Sequence, residues 1–197
     1  IPTLAMPVFA KINYHSWPLL AFTNQPALNV TVPESIQNDA SGYQFASLGQ
    51  LVVKTALPDE LATQGVILCD MGTAIHQHSD LVRKFLFQKA VHVDENRLTA
   101  VNAALLNGGA FLYVPDNVEV KAPINLLQVQ DSRQAGNFVN HTLIVAGENS
   151  RFQVLQRSET LGETANPAHI MVEIVAQAGS YVRFSALDSL GETTHSY

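Results

Sequence analysis

From Gly109 onward the chain repeats one pattern three times, and this constrains its fold more than any other feature. Phe111-Leu112-Tyr113-Val114 and Val118-Glu119-Val120 flank Pro115-Asp116-Asn117. Leu143-Ile144-Val145 and Phe152-Gln153-Val154 flank Gly147-Glu148-Asn149, and Val172-Glu173-Ile174-Val175 and Tyr181-Val182-Arg183-Phe184 flank Gln177-Ala178-Gly179. Each copy reads as strand, Asn/Gly turn, strand, because β-branched and aromatic residues alternate with polar ones on either side of residues that favour turns. Asn117, Asn149 and Gly179 tolerate the left-handed backbone such turns need. Val145 precedes Val175 by 30 residues and Val120 precedes Val154 by 34. Recurrence at that period is the signature of a solenoid, whose coils bury their apolar faces on one another. A β-sandwich of ordinary hairpins fits the same strings. In the solenoid, Val145, Ile174 or Val175, Phe152 or Val154, and Val182 or Phe184 are expected to share one interior. The choice within each pair stays open, since a one-residue slip inverts the faces.

The residues before this region have a different character. Prolines at 2, 7, 18, 26 and 33 suggest irregular, extended chain, with a short strand at Leu28–Val32 and another from Ser47 to Ala56. Pro58-Asp59-Glu60-Leu61 has the proline and acids of a helix start, with Gly65 as its stop. Val66–Met71 reads as a buried strand. Ser79 caps a second helix with cations in its later turns, and Asp94 caps a third in which Leu98, Val101 and Leu105 hold helical spacing before Gly108. The expected fold is therefore mainly β: the first coils of a right-handed parallel β-helix over residues 98–197, after a mixed, partly helical region over residues 1–97.

Composition narrows the function. At 197 residues, 47% hydrophobic and 14% charged, the chain is too apolar to be disordered. Its net charge of −6 makes nucleic acid and anionic membrane surfaces poor partners. One cysteine, Cys69, rules out an internal disulfide framework and fits a reducing, cytoplasmic compartment. No apolar run reaches the roughly 18 residues of a membrane span. The first residues have no basic region of a signal peptide. The sequons at Asn29 and Asn140 are discounted, the second because it sits in a strand-like run. The missing initial methionine and the stop after a strand-like run lead us to expect a fragment. An open final coil should then self-associate, most simply as a two-fold dimer.

Several residues invite a chemical reading, and each has a plainer one. His76 and His78 near Asp70 and Asp80 suggest a metal cluster, but i and i+2 do not share a helix face. Cys69 sits in an apolar strand, where burial makes a thiol inert. Asn107-Gly108-Gly109 lacks the Gly-Lys-Ser/Thr of a phosphate loop and is explained by a helix end. Asp116, Glu148, Glu173 and Asp188 offer carboxylates for glycoside chemistry, yet the first two fall in turns and Glu173 alternates with apolar residues. His141 begins a strand, and His15, His92, His169 and His195 show no ligand spacing. No Gly-x-Ser-x-Gly elbow is present. No catalytic, cofactor-binding or metal-binding residue is assigned, which favours an assembly or scaffold role over an enzyme. A carbohydrate-active β-helix enzyme and a generic β-helix binding module are the alternatives. Without a P-loop and with a single thiol, the isolated chain is expected to hydrolyse no ATP and to hold no stable metal cluster of the kind that needs several thiolates.

Specific strings carry a family resemblance. Gly65–Ala74, Leu81-Val82-Arg83-Lys84, Asn96–Ala104, Gly109–Pro115, Val118-Glu119-Val120, Pro123-Ile124 and Thr142-Leu143-Ile144-Val145 with its Glu148-Asn149-Ser150 turn follow in order. Together they resemble the SufB/SufD family of iron–sulfur cluster assembly proteins over residues 65–155. The chain departs from the family where Asp116-Asn117 replaces the usual Lys-Gly and where His141 replaces a common Arg. It lacks the cysteine the B type carries shortly after Arg151–Leu155, and Pro123–Leu127 is closer to the D type. The resemblance implies a right-handed parallel β-helix between helical end domains. It also implies a cytosolic complex with SufB and the ATPase SufC. The family's cluster and ATPase-contact residues would fall beyond Tyr197, so none is carried over.

Overall fold

The computed structural model describes residues 31–197. Most of the expected strand at 28–32 and the prolines at 2, 7, 18 and 26 lie outside the described residues. α1 (Glu34–Ala40) follows Pro33 and turns Ile36 and Ala40 inward. The single strand expected from Ser47 to Ala56 is a hairpin of β1 (Phe45–Leu48) and β2 (Leu51–Thr55). Gly49, at φ 57°, makes the reversal between them. α2 (Asp59–Thr63) starts behind Pro58 and stops before Gly65, at φ 83°, as the sequence indicated. β3 (Ile67–Asp70) leads into α3 (Met71–Gln77) and α4 (Ser79–Phe85). Ser79 is the first residue of α4 rather than its cap, a position His78 occupies. The cap of α5 (Arg97–Leu105) is Asn96, not Asp94. The Asn96 side chain accepts from the N–H groups of Leu98 and Thr99, and the Thr99 hydroxyl faces back to the Asn96 N–H.

The rest is strand: β4 (Ala110–Val114), β5 (Ile124–Asp131), β6 (Phe138–Ala146), β7 (Arg151–Leu161), β8 (Pro167–Ala176), β9 (Tyr181–Ser189) and β10 (His195–Ser196). The described residues are mainly β, in two five-stranded mixed sheets ordered β2-β1-β5-β7-β9 and β10-β8-β6-β4-β3. Only the β1–β2 and β3–β4 pairs are antiparallel. From β4 onward, consecutive strands alternate between the sheets. The three strand-turn-strand copies therefore cross from one sheet to the other and are not hairpins. Ile144 pairs with Ile174 and Phe152 with Val182, both 30 residues apart, whereas Leu112 and Ile144 are 32 apart. The expected 34-residue match of Val120 with Val154 is not formed. The offset is 32 at the Glu119–Arg151 bridge and 30 at Ile124–Val154, so the segment 120–123 carries two more residues than the 152–153 segment beside it, and Ile124 takes the place opposite Val154.

The turns stack as well as the strands. Asn117, Asn149 and Gly179 have φ of 62°, 56° and 69°. The Asn117 N–H donates to Glu148 O, the Asn149 N–H to Ala178 O, and the Glu148 N–H to the Asp116 carboxylate at 2.8 Å. A Cβ on Gly179 would lie 2.2 Å from Asn149 Oδ1, so the third turn needs glycine for space as well as for φ.

Three apolar clusters hold these layers. Between the sheets, Phe45, Leu112, Ile124, Leu126, Ile144, Phe152 and Val154 form the largest, with Ile174, Val182 and Phe184 at its partly covered end. Ile174 is thus the interior member of its pair, and Phe152, Val154, Val182 and Phe184 all face inward. Val145 does not join them. It is fully buried, but on the opposite face of β6, beneath α3 and α4 with Met71, Phe85 and Leu143. β6 is buried along its whole length on both faces, so burial alone does not reveal which residues face the interior. The third cluster sits between α1 and the outer side of the first sheet.

Candidate functional site

The most unusual chemistry in the fold is a buried polar cluster on the helix-covered face of the second sheet. His141 on β6 and Glu173 on β8 have side chains with no solvent exposure. Glu173 pairs with Leu143 in register, which places it diagonally across from His141 on the same face. His141 Nε2 lies 3.3 Å from Glu173 Oε2. That same oxygen accepts the Phe87 N–H at 3.0 Å. His141 Nδ1 is 2.9 Å from Asn102 Oδ1, and the Asn102 amide nitrogen donates to Asn140 O at 3.1 Å. With its nitrogen so committed, Asn102 presents its oxygen, and His141 Nδ1 carries the proton in that contact. Phe87, at φ 55°, closes the site, its ring edge-on to the imidazole at 4.8 Å between centroids. Neither His141 Nε2 nor Glu173 Oε1 makes a hydrogen bond, so the 3.3 Å approach is a charge contact rather than an aligned bond. The arrangement sets an imidazole beside a carboxylate, both enclosed by the residues after α4.

A second polar group fills one end of the space between the sheets. Gln128 Nε2 donates to Thr142 Oγ1 at 2.9 Å, Asn140 Nδ2 donates to Gln128 Oε1 at 3.1 Å, and Thr142 Oγ1 donates to Gln156 Oε1 at 2.8 Å. All four residues are at most 1% exposed. Each residue finds a partner within the group, while Asn140 Oδ1 accepts no hydrogen bond.

The other singled-out residues fall into structural roles. Asp70 caps α3, its carboxylate accepting the Thr73 N–H at 2.9 Å and the Thr73 hydroxyl at 2.5 Å. His76 and Asp80 are exposed, while His78 tilts against Phe111. Among the described residues no three His, Cys, Asp or Glu side chains converge as metal ligands would. Cys69 is half-buried, and burial, with a lesser push from Asp70, raises its thiol to about 12. The Asn107-Gly108-Gly109 string is more than a helix end. A Cβ on Gly109 would lie 2.0 Å from His141 O, and one on Gly108 would lie 2.3 Å from Asn140 Oδ1, so the glycines let the chain pass directly against β6. Asp116 and Glu148 meet in the stacked turns, Asp188 lies exposed on β9 and Glu173 is enclosed beneath Phe87, so the four carboxylates do not converge. His169 is buried, lowered to about 4 by desolvation, and stacks on Tyr197 at 4.6 Å. His92 and His195 are exposed, and His15 lies outside the described residues. The sequence reading treated His141 and Glu173 separately. The 30-residue offset, applied to Glu173, points to Leu143, two residues from His141, and so could have joined them.

Residues 39–126 match the family model described as the SufBD protein N-terminal region. The chain is 40% identical over 157 residues to the iron–sulfur cluster assembly protein SufD of Bacillus subtilis (strain 168), covering 78% of this chain and 35% of that protein. It is 28% identical over 159 residues to SufB of the same organism, covering 80% and 34%. A SufBD family protein of Staphylococcus aureus (strain MRSA252) matches at 28% with the same coverage. The chain thus spans about a third of the length of the curated relatives it matches.

Proposed function

The chain belongs to the SufB/SufD family of iron–sulfur cluster assembly proteins, and we propose that it serves as a SufD-like scaffold, not as an enzyme. The observation that carries this reading is the 40% identity to SufD over 157 residues, against 28% to SufB. In this reading the protein works in the cytoplasm with SufB and the ATPase SufC. The iron–sulfur cluster is cargo of that complex, and this chain supplies no cofactor of its own. We read the strands from β4 onward as coils of a right-handed parallel β-helix. Their alternation between two sheets at offsets of 30 to 32 residues supports that reading. The chain is also expected to self-associate, because β9 leaves one edge of the first sheet unpaired among the described residues. The carbohydrate-active alternative loses its basis with the scattered carboxylates.

A chimera tests the proposal. The segment of Bacillus subtilis SufD that aligns with this chain is replaced by this chain's residues, and the product is co-expressed with SufB and SufC. Capture of both partners and restored cluster assembly are expected. A chimera that folds by circular dichroism yet captures neither partner would reject the reading. Anaerobic reconstitution of the isolated chain should leave no cluster after gel filtration, and a stoichiometric one would contradict the scaffold assignment.

A further inference from the structure

The buried pair on the helix-covered face leaves donor atoms unused. His141 Nε2 and Glu173 Oε1 are enclosed, and neither makes a hydrogen bond. Buried polar atoms are nearly always partnered, and an unpartnered one in a native fold marks strain, chemistry or a place for an ion. The proton on His141 Nδ1 is taken up by Asn102 Oδ1 at 2.9 Å, so Nε2 is the nitrogen left to ligate. The Phe87 N–H takes Glu173 Oε2 at 3.0 Å and leaves Oε1 untouched. Two side chains thus offer three donor atoms, Nε2, Oε1 and Oε2, with one hydrogen bond among them.

We propose that His141 and Glu173 form a seat for one exchangeable divalent cation of the zinc, cobalt or ferrous class, covered by Phe87. Three observations carry it. The first is distance. An ion about 2.0–2.2 Å from an imidazole nitrogen and a carboxylate oxygen, near the tetrahedral angle, holds those two atoms about 3.3 Å apart. Nε2 and Oε2 are 3.3 Å apart. Ligands of one ion aim at the ion and not at each other, about 35° off the line between them. A close approach without an aligned hydrogen bond fits that arrangement. The second is support. A ligating imidazole donates its other N–H to a fixed acceptor, which sets its tautomer and ring direction. Asn102 does this for His141 and is itself held by its bond to Asn140 O at 3.1 Å. The third is the cover. Phe87 sits at φ 55°, a costly conformation for a bulky side chain, with its ring edge-on to the imidazole. It is the only buried residue from 86 to 96, so the cover is pinned at one point. Lifting it admits the ion and the waters that complete its coordination. Imidazole and carboxylate donors suit these metals. Two residues hold an ion less firmly than the three or four of a resident metal site, so the ion exchanges. Without a thiolate, the seat takes a single ion and not a cluster.

Titration of the full 197-residue chain with cobalt(II), read by its visible ligand-field absorption, and with zinc(II), read by calorimetry, tests the seat. One equivalent should bind the unsubstituted chain. Glu173→Gln keeps an acceptor for the Phe87 N–H but removes the anionic donor, and it should lose the ion while keeping its circular dichroism. His141→Gln is the second such variant. Asn102→Leu removes the outer support and should weaken binding about 10–100-fold. Phe87→Gly keeps every donor and suits the positive φ, but removes the ring, so cobalt uptake in stopped flow should be faster. His76, His92 and His195 are exposed and could capture an ion at the surface. Replacing all three with Gln should leave the equivalent in place. No uptake by the unsubstituted chain would overturn the seat and leave a plain buried ion pair. An equivalent that persists in folded Glu173→Gln and His141→Gln, or that disappears with the three exposed histidines, would also overturn it. An unchanged uptake rate in Phe87→Gly would refute the cover.

Discussion

Two substitutions in the enclosed pair of His141 and Glu173 should carry very different costs. In His141→Ala the Glu173 carboxylate keeps only the Phe87 N–H, and Asn102 Oδ1 loses its donor. A buried ion pair broken from one side costs about 3–5 kcal/mol, because the remaining group is left uncompensated away from water. Glu173→Gln keeps the shape. The new amide oxygen can accept the Phe87 N–H, and the new amide nitrogen can donate to His141 Nε2. That contact suits a neutral imidazole whose Nδ1 proton stays on Asn102. The bonds from the Phe87 N–H and between His141 Nδ1 and Asn102 survive, so the cost is about 1 kcal/mol or less. The two variants therefore differ by about 3 kcal/mol. With a urea slope of about 2–3 kcal/mol/M, their unfolding midpoints should lie about 1 to 1.5 M apart. Equilibrium urea unfolding followed by circular dichroism measures this, and amide exchange at Phe87 reports whether the segment after α4 has opened. A third variant, His141→Leu/Glu173→Leu, removes both partners and should be less destabilised than His141→Ala. Equal midpoints for His141→Ala and Glu173→Gln would refute the reasoning, since they would show that the carboxylate does not depend on the imidazole.

Three further outcomes follow from the same structure. Cys69, held protonated up to about pH 12 against an ordinary 9.0, should resist a thiolate-directed reagent at pH 8 until the chain unfolds. Its contribution to stability is complete below pH 9.0 and is lost as pH rises through 9.0 to 12. His169 is lowered to about 4 from 6.5, so the unfolded chain binds the extra proton first as pH falls. Stability should drop by roughly 3 kcal/mol between pH 6.5 and 4, and His169→Phe should flatten that part of the pH profile; an unchanged slope would contradict it. Gly109→Ala places a methyl 2.0 Å from His141 O at φ 131°, so a loss of about 2 kcal/mol or more in thermal or urea unfolding is expected.

The sequence made some of this fold legible and hid the rest for identifiable reasons. Asn117, Asn149 and Gly179 could be read directly, because only a few residue types sit at positive φ, and their spacing exposed the stacked turns. The helix stop at Gly65 was readable for the same reason. The cap of α5 was misplaced by two residues because Asp94 and Asn96 are both good caps. Only the contact of Thr99 with Asn96 distinguishes them. The β1–β2 hairpin was hidden because Gly49-Gln50 interrupts an otherwise continuous strand-like string. The candidate site was hidden because its residues come from α5, β6, β8 and the chain after α4. No local pattern joins Phe87, Asn102, His141 and Glu173; only the 30-residue offset between β6 and β8 brings Glu173 beside His141.

β6 shows why that register matters more than any single residue. Its nine residues are all buried, so alternation of polar and apolar residues cannot orient it. Polar partners on either side orient it instead. Asn140 and Thr142 point between the sheets and are taken up by Gln128 and Gln156, while His141, between them, points outward to Asn102 and Glu173. Shifted by one residue, the strand would put an imidazole against Gln128 and two short polar groups beneath Phe87, leaving most of their hydrogen bonds unmade. An unmade buried bond costs about 1–3 kcal/mol, so three misplaced residues would cost several kcal/mol, comparable to the whole stability of a domain. The buried polar triplet thus fixes the register of a strand whose apolar residues could have packed either way. Val145, which the apolar pattern alone assigned to the wrong face, is placed by its polar neighbours at positions 140 to 142.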